Sequence, residues 1–387
     1  MALQATSSYL PITLPGAVTA LAPSCSEVTF KVEAAANNTL FVDIPGPENG
    51  TAVVDYINKA ILSGSAPNNG TTLVADTFTL NGIYCQPGGN TAHPEDEEAV
   101  LQILLHGGTY NRTYWTGLDL PDTDIYNWPL AATRAGYHTL ALDKLGAGTS
   151  PQRPGPLNVV QASLEVEIFH QIIDTIRRHP SASPLGRTYN RVALVGHSLG
   201  SVLGATLARL HPSDIDALVA TGLSTSIDMV SFLETDFQPA AAVFGPARAS
   251  TRDLPPGYLT TGSAAARERA LYAGSAYDAA RLPPRDFAGA DAATGGELLT
   301  LGSAMVPAPG FARPVLSVVG QLDGQQCPPA AGACEDILAA TGRTLWPNAA
   351  PFNYYVAPNT GHCLALHYSA PETAAVVHAW LDGVFKA

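Results

Sequence analysis

Short apolar runs recur along the chain at residues 100–105, 138–142, 192–195, 217–222, 315–320 and 353–356, with polar or amphipathic segments between them. Runs this short and apolar throughout suit strands of a parallel sheet covered on both faces. In the connecting segments, residues 159–178 repeat Val160, Leu164, Ile168, Ile172 and Ile176 at the spacing of one helix face, and residues 371–385 read as a closing helix. Strand and helix in alternation predict an α/β fold. Upstream of this rhythm, residues 25–34 and 77–85 predict two further strands.

One interval breaks the alternation. Between 222 and 315 the chain is rich in Ala, Gly and Pro and holds short helical patches such as 264–272, but no strand of the sheet. A structureless loop of that length does not fit inside a compact domain, and Met229, Phe232, Leu233, Phe237, Phe244, Tyr258, Tyr272, Tyr277 and Phe287 have to pack on something. The interval 226–312 is therefore predicted to be an inserted helical cap over the C-terminal edge of the sheet. The resulting division is an N-terminal extension with a first strand (1–74), a core in two parts (75–225 and 313–387) and the cap between those parts.

The candidate chemistry sits at Gly196-His197-Ser198-Leu199-Gly200, directly behind the run 192–195 and directly ahead of an apolar helical segment. A serine at the apex of a strand-to-helix turn occupies a strained backbone conformation, and the positions two before and two after it must lack side chains for the chain to reverse. Both are glycine. Such a turn presents the Ser198 hydroxyl at the C-terminal end of a strand and aims the next helix's N-terminus at it. Serine alone is a weak nucleophile at neutral pH; it needs a base, which in turn needs an orienting acid. Asp323 follows the run 315–320 and His362 follows 353–356, so both are expected at the same sheet edge as Ser198. Glu335 and Asp336 fall in an expected helix facing solvent, Asp291 lies in the cap, His367 and His378 belong to the last helical region, and His197 is expected to be structural. For an oxyanion hole, the run 100–105 leads into His106-Gly107-Gly108-Thr109, whose missing side chains expose backbone N–H groups. The Leu199 N–H is one expected donor; Gly108 is the other, with Thr109 its competitor.

Composition narrows the partners. The net charge is −13, the only lysines are Lys31, Lys59, Lys144 and Lys386, and no basic run occurs, which argues against a nucleic-acid partner. No apolar stretch approaches the ~20 residues that span a bilayer, so no transmembrane segment is expected. The stretch 10–22 is interrupted by Pro11 and Pro15 and lacks a positive flank, unlike a signal peptide. Neither a phosphate-cradling motif nor zinc-ligand spacing occurs, and no cofactor or metal is expected. Four Asn-x-Thr sequons, at Asn37, Asn49, Asn69 and Asn111, and five cysteines point to an oxidising compartment. Cys25 opens one predicted strand and Cys85 closes another, so their ends meet if the two are antiparallel; Cys327 and Cys334 flank a short loop. Cys363 is left over, a Cys327–Cys363 link being the competing arrangement. A secreted chain whose leader was removed accounts for these features; a cytoplasmic chain with five reduced thiols is the alternative.

His106-Gly107-Gly108, the segment Asp143-Lys144-Leu145-Gly146-Ala147-Gly148-Thr149-Ser150, the turn at 196–200, Gly320 with Asp323, and Gly361-His362 together resemble the successive landmarks of the α/β-hydrolase superfamily, over about residues 75–387. The cysteines, sequons and N-terminal extension are similar to those of secreted fungal serine hydrolases with an inserted cap. The resemblance implies a mostly parallel central sheet flanked by helices and a triad in the chain order Ser, Asp, His. It also implies cleavage of an ester, lactone or thioester in a small-molecule acyl substrate through an acyl-Ser198 intermediate, as in carboxylesterases and lipases. The His-Gly-Gly-Thr loop departs from the His-Gly-Gly-Gly of many lipases and leaves the acyl preference open. Two other readings keep the fold: an acyltransferase or cyclising enzyme of secondary metabolism using the same triad, and a non-catalytic binding module.

Overall fold

The computed structural model describes residues 22–88, 98–242 and 254–386; most of the stretch 10–22 lies outside them. Two long strands come first, β1 (Ser24–Phe41) and β2 (Asn68–Gln86), antiparallel along almost their whole length. Alternation makes them: Val28, Phe30, Val32, Ala34 and Ala36 are buried while Thr29, Lys31 and Glu33 face water. Both strands run beyond the expected 25–34 and 77–85. The inward positions continue as alanine, a weak strand former, and backbone pairing carries the ladder on. Cys25 and Cys85 lie opposite one another, Cα–Cα 4.1 Å, and form the expected disulfide. Between the strands, inside the region expected as an extension, lies helix α1 (Gly50–Ser63). Asn49 caps it by accepting from the Ala52 N–H at 3.0 Å, Gly64 closes it in the left-handed region, and Val53, Val54, Ile57 and Ala60 are its buried stripe.

The six apolar runs all form strands: β3 (Val100–Leu105), β4 (His138–Leu142), β5 (Arg191–His197), β6 (Ala217–Thr221) and, after the inserted interval, Val315–Gly320 and Phe352–Ala357. Helices α2 (Trp128–Arg134), α3 (Ala162–Arg178) and α4 (Leu199–Leu210) connect the first four. Because the strands are apolar throughout, alternate residues feed two separate cores. Leu101, Ile103, Leu194 and Leu218 pack with Ile168, Ile172 and Leu203 of α3 and α4. Val100, Leu104, Val195 and Val219 pack on the opposite face with Trp128 of α2 and Trp380 near the C-terminus. Each fully buried Leu, Ile or Val contributes roughly 1.5–3 kcal/mol of burial free energy.

The interval expected as a helical cap contains α5 (Met229–Ser231), running into a wider helical turn at Phe232–Asp236, then α6 (Ala264–Leu271), α7 (Leu282–Gly289) and α8 (Gly295–Ala304). It also contains a small antiparallel sheet of β7 (Pro239–Ala241), β8 (Tyr258–Thr261) and β9 (Ala293–Thr294), too short to stand out as a pattern. Its last part belongs with the core: Ala304, Ala308 and Phe311 share the cluster formed by the sheet, α3 and α4. A buried ion pair adds to this seam, Lys144 Nζ contacting Glu297 of α8 and lying 3.8 Å from Glu165 of α3. The remaining strands are β10 (Val315–Gly320) and β11 (Phe352–Ala357), followed respectively by α9 (Cys334–Leu345) and α10 (Ala370–Phe385).

The full sheet order is β1-β2-β4-β3-β5-β6-β10-β11, parallel from β4 to β11 with β2 antiparallel to β4. Cys327 and Cys334 are disulfide bonded, and Cys363 is a buried free thiol. Among the described residues no helix is long and apolar enough to cross a membrane.

Candidate active site

Four strand ends converge where β3, β5, β10 and β11 finish. At the end of β5, Ser198 has φ 51° and ψ −117°, a region disfavoured for any residue with a Cβ. Neighbours over-determine it. The Ser198 N–H donates to the Thr221 carbonyl at 2.8 Å. A Cβ on Gly196 would stand 2.5 Å from the Gly200 carbonyl oxygen, and one on Gly200 would overlap the carbonyl of Leu105. The turn thus requires both glycines for close approach, and Ser198 is left half-buried at the head of α4.

Asp323, three residues beyond β10, and His362, five beyond β11, meet: His362 Nδ1 lies 2.8 Å from Asp323 Oδ2, and both side chains are buried. Asp323 Oδ1 accepts from the N–H groups of Gln325 and Gln326, each at 3.1 Å. Every oxygen of this carboxylate therefore has a fixed donor, which leaves it one orientation. Ser198, His362, Leu199, Gly108 and Thr109 all line one cavity; Asp323 stands behind His362. The rest of the lining is largely apolar, with Val202, Ile227, Met229, Phe232, Phe237 and Leu298 prominent. No Asp, Glu, Lys or Arg is among the described lining residues. Two glutamines reach the cavity, but the Gln325 amide donates to the Ala270 carbonyl and the Gln326 carbonyl accepts from the Ser224 N–H. Glu335 and Asp336 are exposed on the first turn of α9, as expected.

The histidines around the site are held neutral. Burial first, and then the nearby His362 and His106, keep His197 well below its ordinary value of 6.5; burial and Lys144 do the same to His106. His197 stacks on Tyr114 at 4.4 Å and sits 3.2 Å from the Thr221 hydroxyl, a structural position as expected. His367 is pushed to about 4 by burial. Its Nε2 accepts from the N–H of Gly361 at 3.1 Å, so its Nδ1 carries the proton and donates to the Cys363 carbonyl at 2.8 Å. It thereby spans the loop that carries His362, a role its sequence neighbourhood does not reveal. His378, pushed to about 4 by burial, lies far from the cavity against Tyr137 and Trp128.

These buried neutral histidines set an acid limit on stability. Below 6.5 an unfolded histidine binds a proton that its folded counterpart refuses, so the unfolded chain binds more protons and stability falls as pH drops through that value. The loss continues down to the folded value, about 4 for His367 and His378, at up to about 1.4 kcal/mol per pH unit for each. The thermal midpoint is accordingly expected to fall steeply below pH 6.5, and His378→Phe, which keeps a ring but cannot titrate, should flatten that limb. An equally steep limb in His378→Phe would contradict the assignment.

For metal ligation, the one grouping of His, Cys, Asp and Glu among the described residues is His170 in the middle of α3 with His211 and Asp214 just after α4, none of which lines the cavity. The two rings are stacked, centroids 3.8 Å apart and 10° from parallel, so their in-plane lone pairs run side by side instead of converging. Each ring is also bonded to an acid, His170 to Asp214 at 2.7 Å and His211 to Glu167 at 2.9 Å.

The oxyanion-loop candidates have partners that the sequence reading did not anticipate. Thr109, at φ 61°, places its hydroxyl 2.8 Å from Arg267 and its carbonyl 2.9 Å from the Asp291 N–H, both residues of the inserted interval. Asp291, expected far from any strand, lies two residues before the short β9; it is buried and accepts from the Gly148 N–H at 2.6 Å. No local pattern marks Arg267 or Asp291; their partners lie in distant segments.

Comparison with known proteins agrees with this architecture. Residues 102–376, well over half of the chain, match the sequence profile of the Alpha/beta hydrolase family. A "Probable lysophospholipase BODYGUARD 1" of Arabidopsis thaliana is 30% identical over 130 residues, 33% of this chain and 24% of that protein. An "AB hydrolase superfamily protein" of Gibberella zeae is 28% identical over 133 residues, 34% of this chain and 38% of that protein. The chain thus matches a quarter to two fifths of the length of these curated relatives. Among solved structures, a thermophilic esterase from Thermogutta terrifontis superposes with a TM-score of 0.50 at 16% identity, covering 80% of this chain and 94% of that one, a likeness of fold. With the profile spanning all four strand ends at the site and the loops that follow them, and the strand order agreeing with it, the chain belongs to the α/β-hydrolase family.

Proposed function

We propose that this hydrolase cleaves esters, lactones or thioesters carrying an uncharged, apolar acyl group, through an acyl-enzyme on Ser198. The observation that carries the reading is a strained, half-buried Ser198 sharing one cavity with His362, whose other ring nitrogen is bonded to a buried, fully satisfied Asp323. In this mechanism His362 Nε2 takes the Ser198 proton as the oxygen attacks the acyl carbon, gives it to the leaving group, and then activates water for deacylation. Asp323 holds the tautomer with the proton on Nδ1 and stabilises the imidazolium. The N–H of Leu199, with that of Gly108 or Thr109, stabilises the oxyanion.

The apolar lining favours a neutral acyl chain, because a carboxylate in it would lose hydration with no cation to compensate. The local likeness to a plant protein described as a probable lysophospholipase agrees with an acyl-ester substrate. Two disulfides and the exposed sequon residues Asn37, Asn49 and Asn69 support action outside the reducing cytosol. Asn111 is an unsuitable glycan acceptor, since its amide nitrogen reaches Asp291 at 3.4 Å and its oxygen accepts from Thr113.

A panel of p-nitrophenyl esters of increasing neutral chain length, with a hemisuccinate ester and simple lactones, tests the reading. Neutral esters are expected to turn over, and the hemisuccinate to fall behind the neutral ester of equal length by at least about tenfold in kcat/KM, since an uncompensated carboxylate costs more than the ~1.4 kcal/mol that a factor of ten represents. Equal rates for the two would contradict the apolar-acyl assignment, and no turnover of any ester or lactone would contradict the hydrolase assignment.

A further inference from the structure

A buried polar cluster joins the inserted interval to the oxyanion loop. Arg267 of α6 and Asp286 of α7 are each about 1% exposed and pair through Arg267 Nε and Nη2, at 2.8 and 2.7 Å from Asp286 Oδ1. The third guanidinium nitrogen, Nη1, donates to the Thr109 hydroxyl at 2.8 Å, and Nη2 also reaches the Thr109 carbonyl at 3.4 Å. The guanidinium lies over the Tyr110 ring, 4.6 Å from its centroid. Asp286 Oδ2 accepts from the hydroxyls of Tyr110, at 2.8 Å, and Tyr272, at 2.9 Å. Tyr110 OH is in turn 3.1 Å from the thiol of Cys363, the neighbour of His362.

What this cluster grips is a strained segment. Thr109 has φ 61°, where a β-branched residue is unfavourable by about 1–3 kcal/mol unless its surroundings impose it. Its hydroxyl and its carbonyl are each held from the inserted interval, by Arg267 and by the Asp291 N–H. A buried ion pair is a weak source of net stability compared with apolar packing, while the guanidinium fork fixes several acceptors in one plane. Three separate nitrogens are in use here, which a lysine ammonium at the end of a flexible stem cannot reproduce.

We propose that Arg267 and Asp286 are positioning residues that hold the 107–110 loop in the conformation that serves the oxyanion, so that the inserted interval acts as a structural part of the oxyanion hole and not only as a cover. The proposal rests on the Ser198 hydrolase reading above. It requires no group of Arg267 to touch the substrate: the guanidinium acts on Thr109, and the loop N–H groups act on the developing oxyanion.

The test compares Arg267→Met, Arg267→Lys, Thr109→Val and Thr109→Ser with the wild type on one p-nitrophenyl ester, after each has been shown to retain the wild-type far-UV spectrum and a cooperative thermal transition. Loss of a correctly placed oxyanion donor lowers kcat by about 10²–10³. Arg267→Met and Arg267→Lys are expected to approach about 10² with KM changed less than about threefold. Thr109→Val, which keeps the backbone and β-branching but removes the acceptor hydroxyl, should lose about tenfold, and Thr109→Ser should restore wild-type kcat. The affinity for a trifluoromethyl ketone, which forms an oxyanion on Ser198, should fall in parallel with kcat, while that for the matching alcohol, which cannot, should stay constant. Wild-type kcat in folded Arg267→Met or Thr109→Val, or equal losses in ketone and alcohol affinity, would overturn the proposal. If the Arg267 variants do not fold, the Thr109 pair decides alone. A wild type that neither hydrolyses the ester nor binds the ketone would refute the hydrolase reading itself, a distinct outcome.

Discussion

Ser198→Ala is expected to lose turnover by a factor of about 10⁶ while keeping the fold. The structure separates the two effects. The turn is held by the Ser198 backbone N–H bond to Thr221 and by the close approach at Gly196 and Gly200, none of which uses the serine hydroxyl. Alanine also carries a Cβ, so the strain at φ 51° is unchanged. What disappears is the atom proposed to attack, and a neighbouring hydroxyl does not replace it: the Ser201 hydroxyl is buried and committed to the Thr221 carbonyl at 2.8 Å. Initial rates on an activated ester, with the thermal midpoint as a control, check this. Turnover within tenfold of the wild type would mean that the nucleophile lies elsewhere.

The second large effect is at the acid. Asp323→Asn is expected to lower kcat by about 10⁴ with KM nearly unchanged, and the local hydrogen bonds say why. Oδ1 of residue 323 is claimed by the N–H groups of Gln325 and Gln326, so an asparagine places its oxygen there and turns its NH₂ group toward His362 Nδ1. A donor facing Nδ1 makes that nitrogen the acceptor and moves the ring proton to Nε2, the nitrogen that must take the serine proton. The base is then blocked by its own tautomer. A near-neutral Asp323→Asn together with a severe effect at Glu335 or Asp336 would show that the acid has been misassigned.

Ser198, Asp323 and His362 are legible in the sequence for a physical reason. Each follows an apolar run that suits a covered strand, and the turn is marked locally at Gly196, where a Cβ would meet Gly200 and Ser201, while the contact that excludes a Cβ on Gly200 comes from the distant Leu105. The Cys25–Cys85 pairing is legible on the condition that the two strands run antiparallel, which brings the start of one to the end of the other, and they do. Other features depend on contacts between distant segments. Arg267 and Thr109 are 158 residues apart, and nothing near either one hints at the other. His367 reads as part of a C-terminal helix, yet it bonds across the loop that carries His362. β7, β8 and β9 are two to four residues long, below what any alternation can signal. The lengths of β1 and β2 are set by pairing to each other, which strand propensity at alanine and asparagine positions does not report.

The central claim is that Ser198 is an activated nucleophile in the folded protein. Its most direct test is intact-mass analysis after treatment of the wild type with a fluorophosphonate, followed by peptide mapping of the adduct. The account predicts one adduct per chain, on Ser198, and none in protein unfolded before treatment or in Ser198→Ala. An unlabelled folded wild type, or an adduct carried on a residue other than Ser198, would contradict it.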